Sequence, residues 1–430
     1  MSQLHRYLAV ASSLALAILW VSPAAAEIGA ADDVPAATLL LPYFEVALDD
    51  VNGINTVLSI NNAYEAAVLA HVVVWSDLSV PVLDFNIYLT GYDVMQVSLR
   101  EVFSGHLPLS ASAGQDPTDA ISPRGLFSQD INFASCAGQL PTPPLPASFV
   151  DHLRRSLTGQ PSTILGGLCA GRAFGDRIAR GYVTVDTVNN CTLRFPADAG
   201  YFAPGGTGDA TLQNVLWGDY FLINPAQNFA QGETLVHIEA DDQNPETSVP
   251  GQYTFYGRYV NWTAADNREP LATQFAVRYL NGGVFDGGSD LLVWRDSKVS
   301  QGAFPCNSVP SWYFLGAESI VVFDESEDPE VPSTLPVSPQ PPAATIVPFP
   351  AEAQRTAVGG PAFPISNAYG WLFLSLNMTV LSAGSVPPED PAAAQAWVTV
   401  LMDAEGRYSV GFDALRLDSA TAAAHAYPTD

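Results

Sequence analysis

The residues of this chain whose type and spacing could do chemistry are four cysteines, three clusters of acids and two glycine-rich turns. Gly167-Leu168-Cys169-Ala170-Gly171 has the outline of a nucleophile elbow with cysteine in place of serine, and His152 lies near it in sequence. Such an elbow needs a strand before the nucleophile and a helix after it. Loop-like residues precede Cys169 and GRAFGDRIARGY follows, so a disulfide is the expected use of this thiol. Pro204-Gly205-Gly206-Thr207-Gly208-Asp209 lacks the lysine and the strand-to-helix setting of a phosphate loop and reads as a turn.

Three acidic clusters could offer oxygens to Ca²⁺: Asp241, Asp242 and Glu246; Asp286 and Asp290 around Gly287-Gly288; and Asp324, Glu325, Glu327 and Asp328. A hard cation needs several oxygens on a bent loop. The second cluster has the best shape and the fewest ligands, and none matches an EF-hand. Solvated loop charge is the default, with no cofactor expected and Ca²⁺ as the alternative. Histidines 71, 106, 152, 237 and 425 show no metal-ligand spacing. Most tryptophans fall in or beside strands and read as core; exposed ones could stack on sugar rings. A glycosidase pair of carboxylates is not recognisable, because its defining separation is spatial.

Cys136, Cys169, Cys191 and Cys306 permit three pairings. The favoured one joins Cys136 to Cys169 across a local excursion and Cys191 to Cys306 across distant parts of the sheet system. Disulfides presuppose an oxidising compartment, and the start of the chain supplies one. His5 and Arg6, an apolar run from Tyr7 to Val21, and Ala24-Ala25-Ala26 before Glu27 have the pattern of a secretory signal peptide over 1–26. No later segment is long and apolar enough to span a bilayer as a helix. The expected location is secreted or periplasmic.

The elements that must position these residues are strands. In 56–99, Leu83, Phe85, Ile87 and Leu89 alternate with Asp84, Asn86 and Tyr88, and Met95, Val97 and Leu99 alternate with Gln96 and Ser98. Period two predicts one wet and one dry face, with Thr90, Gly91 and Asp93 as a hairpin turn. Val68 to Trp75 is nearly all apolar, as in a strand covered on both sides. Pro42 confines the strand over 38–46 to an edge or a bulge. One helix is expected, capped by Ser148 and stopped by Gly159, with Phe149, Val150, Leu153 and Leu157 on one side. Further strands are expected over 181–188, 215–223, 234–239, 253–261, 319–323, 371–376, 396–402 and 408–417.

Thr273 to Trp294 echoes Thr56 to Trp75, both ending in Val-Trp-x-Asp, which predicts two related modules. The organisation is then a signal peptide at 1–26, a loose tail at 27–37 and a first sandwich module at 38–250 with an insertion at 104–171. A second module at 251–418 carries a proline-rich excursion at 326–355 that cannot enter a sheet, and a tail at 419–430 follows. The fold class is mainly β: antiparallel β-sandwich modules, Ig-like or jelly-roll-like, with one short helix in a disulfide-closed insertion.

With 17 Lys plus Arg against 44 Asp plus Glu the net charge is −27, which argues against nucleic acid as a partner. The blocks LLLPYFEV, SINNAYEAAVLAHVVVWSDLSVPVLDFNIYLTGYDV, ARGYVTVDTVNNCTLRFPADAGYF and NVLWGDYFLINPAQNFAQGETLVHIEA, roughly 38–103 and 179–240, resemble those of exported bacterial β-rich proteins. That resemblance implies export and a β-rich fold, and no activity. The function expected is a non-enzymatic surface-structural or binding role towards a protein or glycan. Two alternatives stand beside it: a secreted hydrolase of glycans or esters with its acids or Cys169 in an inter-module cleft, and a Ca²⁺-stabilised adhesive module.

Overall fold

The structure is a computed structural model that describes residues 34–109, 133–243, 256–260, 266–296, 302–308, 319–328, 349–376 and 395–417. Residues 1–26, Glu246, His425, most of the proline-rich stretch and residues 419–430 lie outside these segments. The chain runs β1 (Thr38–Ala47), β2 (Asn55–Asn62), β3 (Val68–Ser76), β4 (Pro81–Leu89), β5 (Val94–Ser98), α1 (Leu99–Phe103), α2 (Ala147–Ser156), β6 (Ile178–Val188), β7 (Leu216–Trp217), β8 (Asp219–Asn224), β9 (Phe229–Thr234) and β10 (Val236–Ile238). It continues through β11 (Gln274–Leu280), β12 (Gly288–Arg295), β13 (Ser319–Asp324), β14 (Ala353–Ala357), β15 (Tyr369–Ser375), β16 (Ala396–Ala404), β17 (Tyr408–Asp413) and β18 (Leu415–Arg416). Every pairing between these strands of the described residues is antiparallel. The protein is mainly β, as its alternating patterns require.

Four sheets result. Sheet I has the order β10-β1-β6-β3-β4 and sheet II β5-β2-β8-β9, with β7 beside β2; sheet III is β14-β12-β16-β17 and sheet IV β13-β15-β11-β18. Sheets I and II pack through β1, β2 and β8, and sheets III and IV through β11, β12 and β16. The two echoing stretches behave alike: β2 to β3 crosses from sheet II to sheet I, and β11 to β12 from sheet IV to sheet III. Each ends on a buried tryptophan, and Tyr182 lies between the two, its ring 5.7 Å from Trp75 and 5.9 Å from Trp294.

The central strands β12 and β16 of sheet III are buried on both faces. Leu292, Trp294, Trp397 and Leu401 enter the core shared with sheets I and II, while their neighbours Leu291, Val293, Val398, Val400 and Met402 enter the core shared with sheet IV. Alternate side chains of the same two strands thus serve two cores. This is why β12 and β16 read as continuous apolar runs rather than as wet-and-dry alternation.

Several sequence expectations need correction. Thr90 to Asp93 is not a hairpin, because β4 lies in sheet I and β5 in sheet II. The turn is instead fastened to the 62–66 arch: Asn62 Nδ2 donates to Thr90 O and Ala66 O, and Tyr92 N to Tyr64 O. Gly91 is required there, since a Cβ would stand 2.1 Å from Glu65 O. The face of β4 expected to be wet is covered: Asn86 and Tyr88 are buried, Asn86 Nδ2 donating to Thr192 O. Leu99 opens the short helix α1 instead of extending a strand. Pro42 sits at a register shift between Leu41 and Phe44 inside sheet I, the bulge alternative and not the edge.

The main helix starts two residues earlier than expected, with Pro146 as N-cap and no side-chain cap; Gly159 is past its end at a φ of +68°. Tyr256 to Val260, expected within a strand, holds the 3-10 turn Gly257–Tyr259. Ala353–Ala357, placed in the proline-rich excursion, is an edge strand of sheet III; the prolines stop at Pro350, so its amides are free to pair with β12. Ala36 and Ala37, assigned to the loose tail, are buried, with Ala36 N bonded to Leu216 O at 2.7 Å.

The disulfide pairing also differs. Cys136 joins Cys191 and Cys169 joins Cys306, with no free cysteine. Cys136 packs with Leu69, Tyr88, Val188 and Leu140 at the end of β6, where the chain runs directly on to Cys191. Cys169 exchanges two backbone hydrogen bonds with Phe304, which sets Cys306 beside it. Sheet neighbours, and not sequence neighbours, chose the partners. Among the described residues no helix is long and apolar enough to cross a membrane.

Candidate functional site

The outer face of sheet IV carries a contiguous exposed apolar surface. In β15, Leu372 and Leu374 point into the second core, while Tyr369, Trp371 and Phe373 point out with 38%, 41% and 38% of their surfaces exposed. The alternation is a regular period two, but both faces are hydrophobic, so no wet side marks it in the sequence. Cross-strand register extends the patch. Phe373 faces Val321 and Ala276, Trp371 faces Phe323 and Arg278, and Leu415 faces Ala276 from the other edge.

Side chains of the patch also touch one another. Phe323 meets Phe373 edge-on at 5.8 Å. The Arg278 guanidinium lies 5.5 Å from the Trp371 ring centre and pairs with Glu325 at 2.6 Å, putting one ion pair at the rim. A shallow depression of about 380 Å³ lies among Gln274, Val321, Phe323, Phe373, Ser375 and Leu417. Apolar surface left in water costs about 25 cal/mol per Å². A contiguous aromatic and aliphatic area of this kind, with arginine at its rim, has the composition of a docking surface.

The other unusual chemistry is buried against sheet I, part of it where sheets I and III meet, and it is structural in form. Asp186 accepts hydrogen bonds from Thr38 Oγ1 at 2.5 Å, Tyr201 OH at 2.7 Å and Tyr256 OH at 3.1 Å, and lies 3.7 Å from Arg268. Burial, reinforced by the Asp186 charge, holds the Tyr201 and Tyr256 phenols well above their ordinary pKa. Arg258 pairs with Glu352 and lies 3.5 Å from Asp296, all three side chains buried. Burial opposes its charge most strongly, yet Glu352, Tyr259, Tyr182 and Asp296 together outweigh it and keep the guanidinium pKa well above its usual value. Arg355 on β14 reaches Glu45 on β1 at 3.2 Å and Asp290 on β12 at 2.5 Å. These groups are locked as donors and acceptors to one another and join the two halves of the chain.

The residues singled out in the sequence do not converge. Cys169 is half of a disulfide and cannot serve as a thiol nucleophile. His152 is buried, its Nδ1 bonded to Ser162 Oγ at 2.7 Å and its Nε2 to Val82 O at 3.1 Å. Asp241 and Asp242 accept from Gln243, Asp286 pairs with Arg407 at 2.6 Å, and Asp290 is held by Arg355. Asp324 Oδ1 accepts the amides of Ser326 and Asp328. Among the described residues no group of three or more His, Cys, Asp or Glu is arranged to hold a metal ion. Comparison with protein-family models, with curated proteins and with solved structures gives no match.

Proposed function

We propose that this is an exported, non-enzymatic binding protein whose sheet IV presents a docking face to another protein. The observation that carries the reading is the outward row Tyr369, Trp371 and Phe373 on β15, each more than a third exposed. Tyrosine, tryptophan and arginine are the residues that dominate protein–protein binding energy when desolvated. The aliphatic Val321 and Leu415 interleaved with them suit an apolar protein surface better than a sugar, which needs hydrogen-bond partners between its stacking rings. The leader pattern at 1–26 and two disulfides support export to an oxidising compartment.

The test is a photo-crosslinking amino acid at position 371 in cells of origin, with the same group at exposed Tyr64 as control. A single protein adduct at 371 that disappears with Val321→Ser plus Phe373→Ser is expected. Equal adducts at both positions, or adducts unchanged by the double substitution, would remove the reading. Both substituted side chains are solvent-facing, so the melting temperature is expected to shift by no more than a few degrees.

A further inference from the structure

A second concavity lies at the junction of the two halves of the chain. Its volume is about 460 Å³, within the range of small-molecule sites. Leu78 from the turn after β3, Ala173, Phe304 and Pro350 give it apolar walls, and Arg172, Asn307 and Ser308 bring the polar groups. No carboxylate is among the described residues that line it.

Arg172 is built into position. The buried Asp77 carboxylate accepts from Arg172 N at 3.0 Å and from Arg172 Nε at 2.7 Å. Gly171 makes that approach possible, since a Cβ there would stand 2.8 Å from Asp77 Oδ1. Gly159, just past α2, lets the helix end press on the same loop, because a Cβ would lie 2.3 Å from Arg172 C. The guanidinium also packs over the Phe174 ring at 4.8 Å. Only backbone and Nε are spent on Asp77. The two terminal nitrogens have no hydrogen-bond partner among the described residues, and 27% of the side chain is exposed. The facing wall is pinned too: residues 302–308 are fixed by the Cys169–Cys306 disulfide and by paired backbone bonds between Cys169 and Phe304.

We infer that this pocket binds a small amphipathic carboxylic acid, its carboxylate end-on to the two terminal nitrogens of Arg172 and its apolar body against Leu78, Phe304 and Pro350. A permanently charged fork with two parallel donors free matches a carboxylate in geometry and charge. The Asp77 partner fixes the plane of that fork before any ligand arrives, so little side-chain entropy is lost on binding. Apolar walls without acids favour a compact hydrocarbon body over a polyol.

The test titrates the full chain calorimetrically with octanoate and with octanamide, which has the same body and no charge. Saturable octanoate binding, at least about tenfold tighter than octanamide, is expected. Arg172→Gln lowers octanoate to the octanamide level. Ser308→Trp fills the pocket from an exposed wall position, leaves the Asp77–Arg172 pair intact, and abolishes binding of both. Because Arg172→Gln leaves Asp77 short of a partner, the Ser308→Trp variant and the paired ligands decide the matter if the glutamine variant does not fold. Equal affinity for acid and amide, undiminished octanoate binding in either folded variant, or no saturation below about 10 mM would overturn the assignment.

Discussion

At the scale of single residues, the buried charges at the sheet I–sheet III junction are the parts most exposed to perturbation. Glu352→Leu leaves Arg258 charged in an interior site, and breaking such a pair costs about 3–5 kcal/mol. Adding Arg258→Leu restores part of the loss, so a double-mutant cycle by denaturant unfolding is expected to show coupling of more than about 1 kcal/mol; additive losses would show that the pair is solvated. Two pH limbs follow from other residues. Tyr182, Tyr201 and Tyr256 have folded-state pKa values raised by burial above the ordinary 10.0. The unfolded chain therefore loses those protons first, and stability present below about pH 10 falls as the pH rises beyond it. His152 is lowered by burial from 6.5, so the unfolded chain gains its proton first and stability falls as the pH drops below that value. Melting temperatures from pH 4 to 11 check both, and His152→Gln is expected to flatten the acid limb.

At the scale of elements, the disulfides close separations of 55 and 137 residues. The chain-entropy relation gives about 4 and 5 kcal/mol for loops of that size. Non-reducing peptide mapping is expected to recover Cys136 with Cys191 and Cys169 with Cys306; Cys136 with Cys169 would contradict the structure. Cys169→Ser plus Cys306→Ser should loosen residues 302–308 and be read as faster amide exchange there. The strands themselves were largely legible. β3 announces itself through the run Val68 to Trp75, and β4 through alternation of Leu83, Phe85 and Ile87. What could not be read was which sheet each strand joins. Thr90 to Asp93 has every residue a hairpin turn needs, and the same residues serve a crossing between sheets, because local turn chemistry fixes a reversal and not the partner. Tyr88 and Asn86 predict a wet face that the structure covers, because polarity in a strand signals solvent only if no other segment packs over it.

At the scale of the whole molecule, the two halves share a core. Trp294, Trp397 and Leu401 of sheet III pack with Trp75, Tyr182 and the apolar side chains of sheets I and II. Calorimetry is expected to show one unfolding transition, lowered as a unit by Leu401→Ala, whose cavity costs about 2–5 kcal/mol. Two transitions with only one displaced would mean that the halves unfold independently.

The sequence by itself determined the β class, the positions of most strands, the oxidised cysteines and the acidity, because periodicity, proline placement and composition act over a few residues at a time. Only the tertiary structure decided the disulfide partners, the burial of both faces of β12 and β16, the exposure of Tyr369, Trp371 and Phe373, and the pocket around Arg172. Each of these depends on which distant segment lies opposite, through contacts across 55 to 137 residues in the disulfides and 95 residues between Asp77 and Arg172, and local pattern carries no record of that choice.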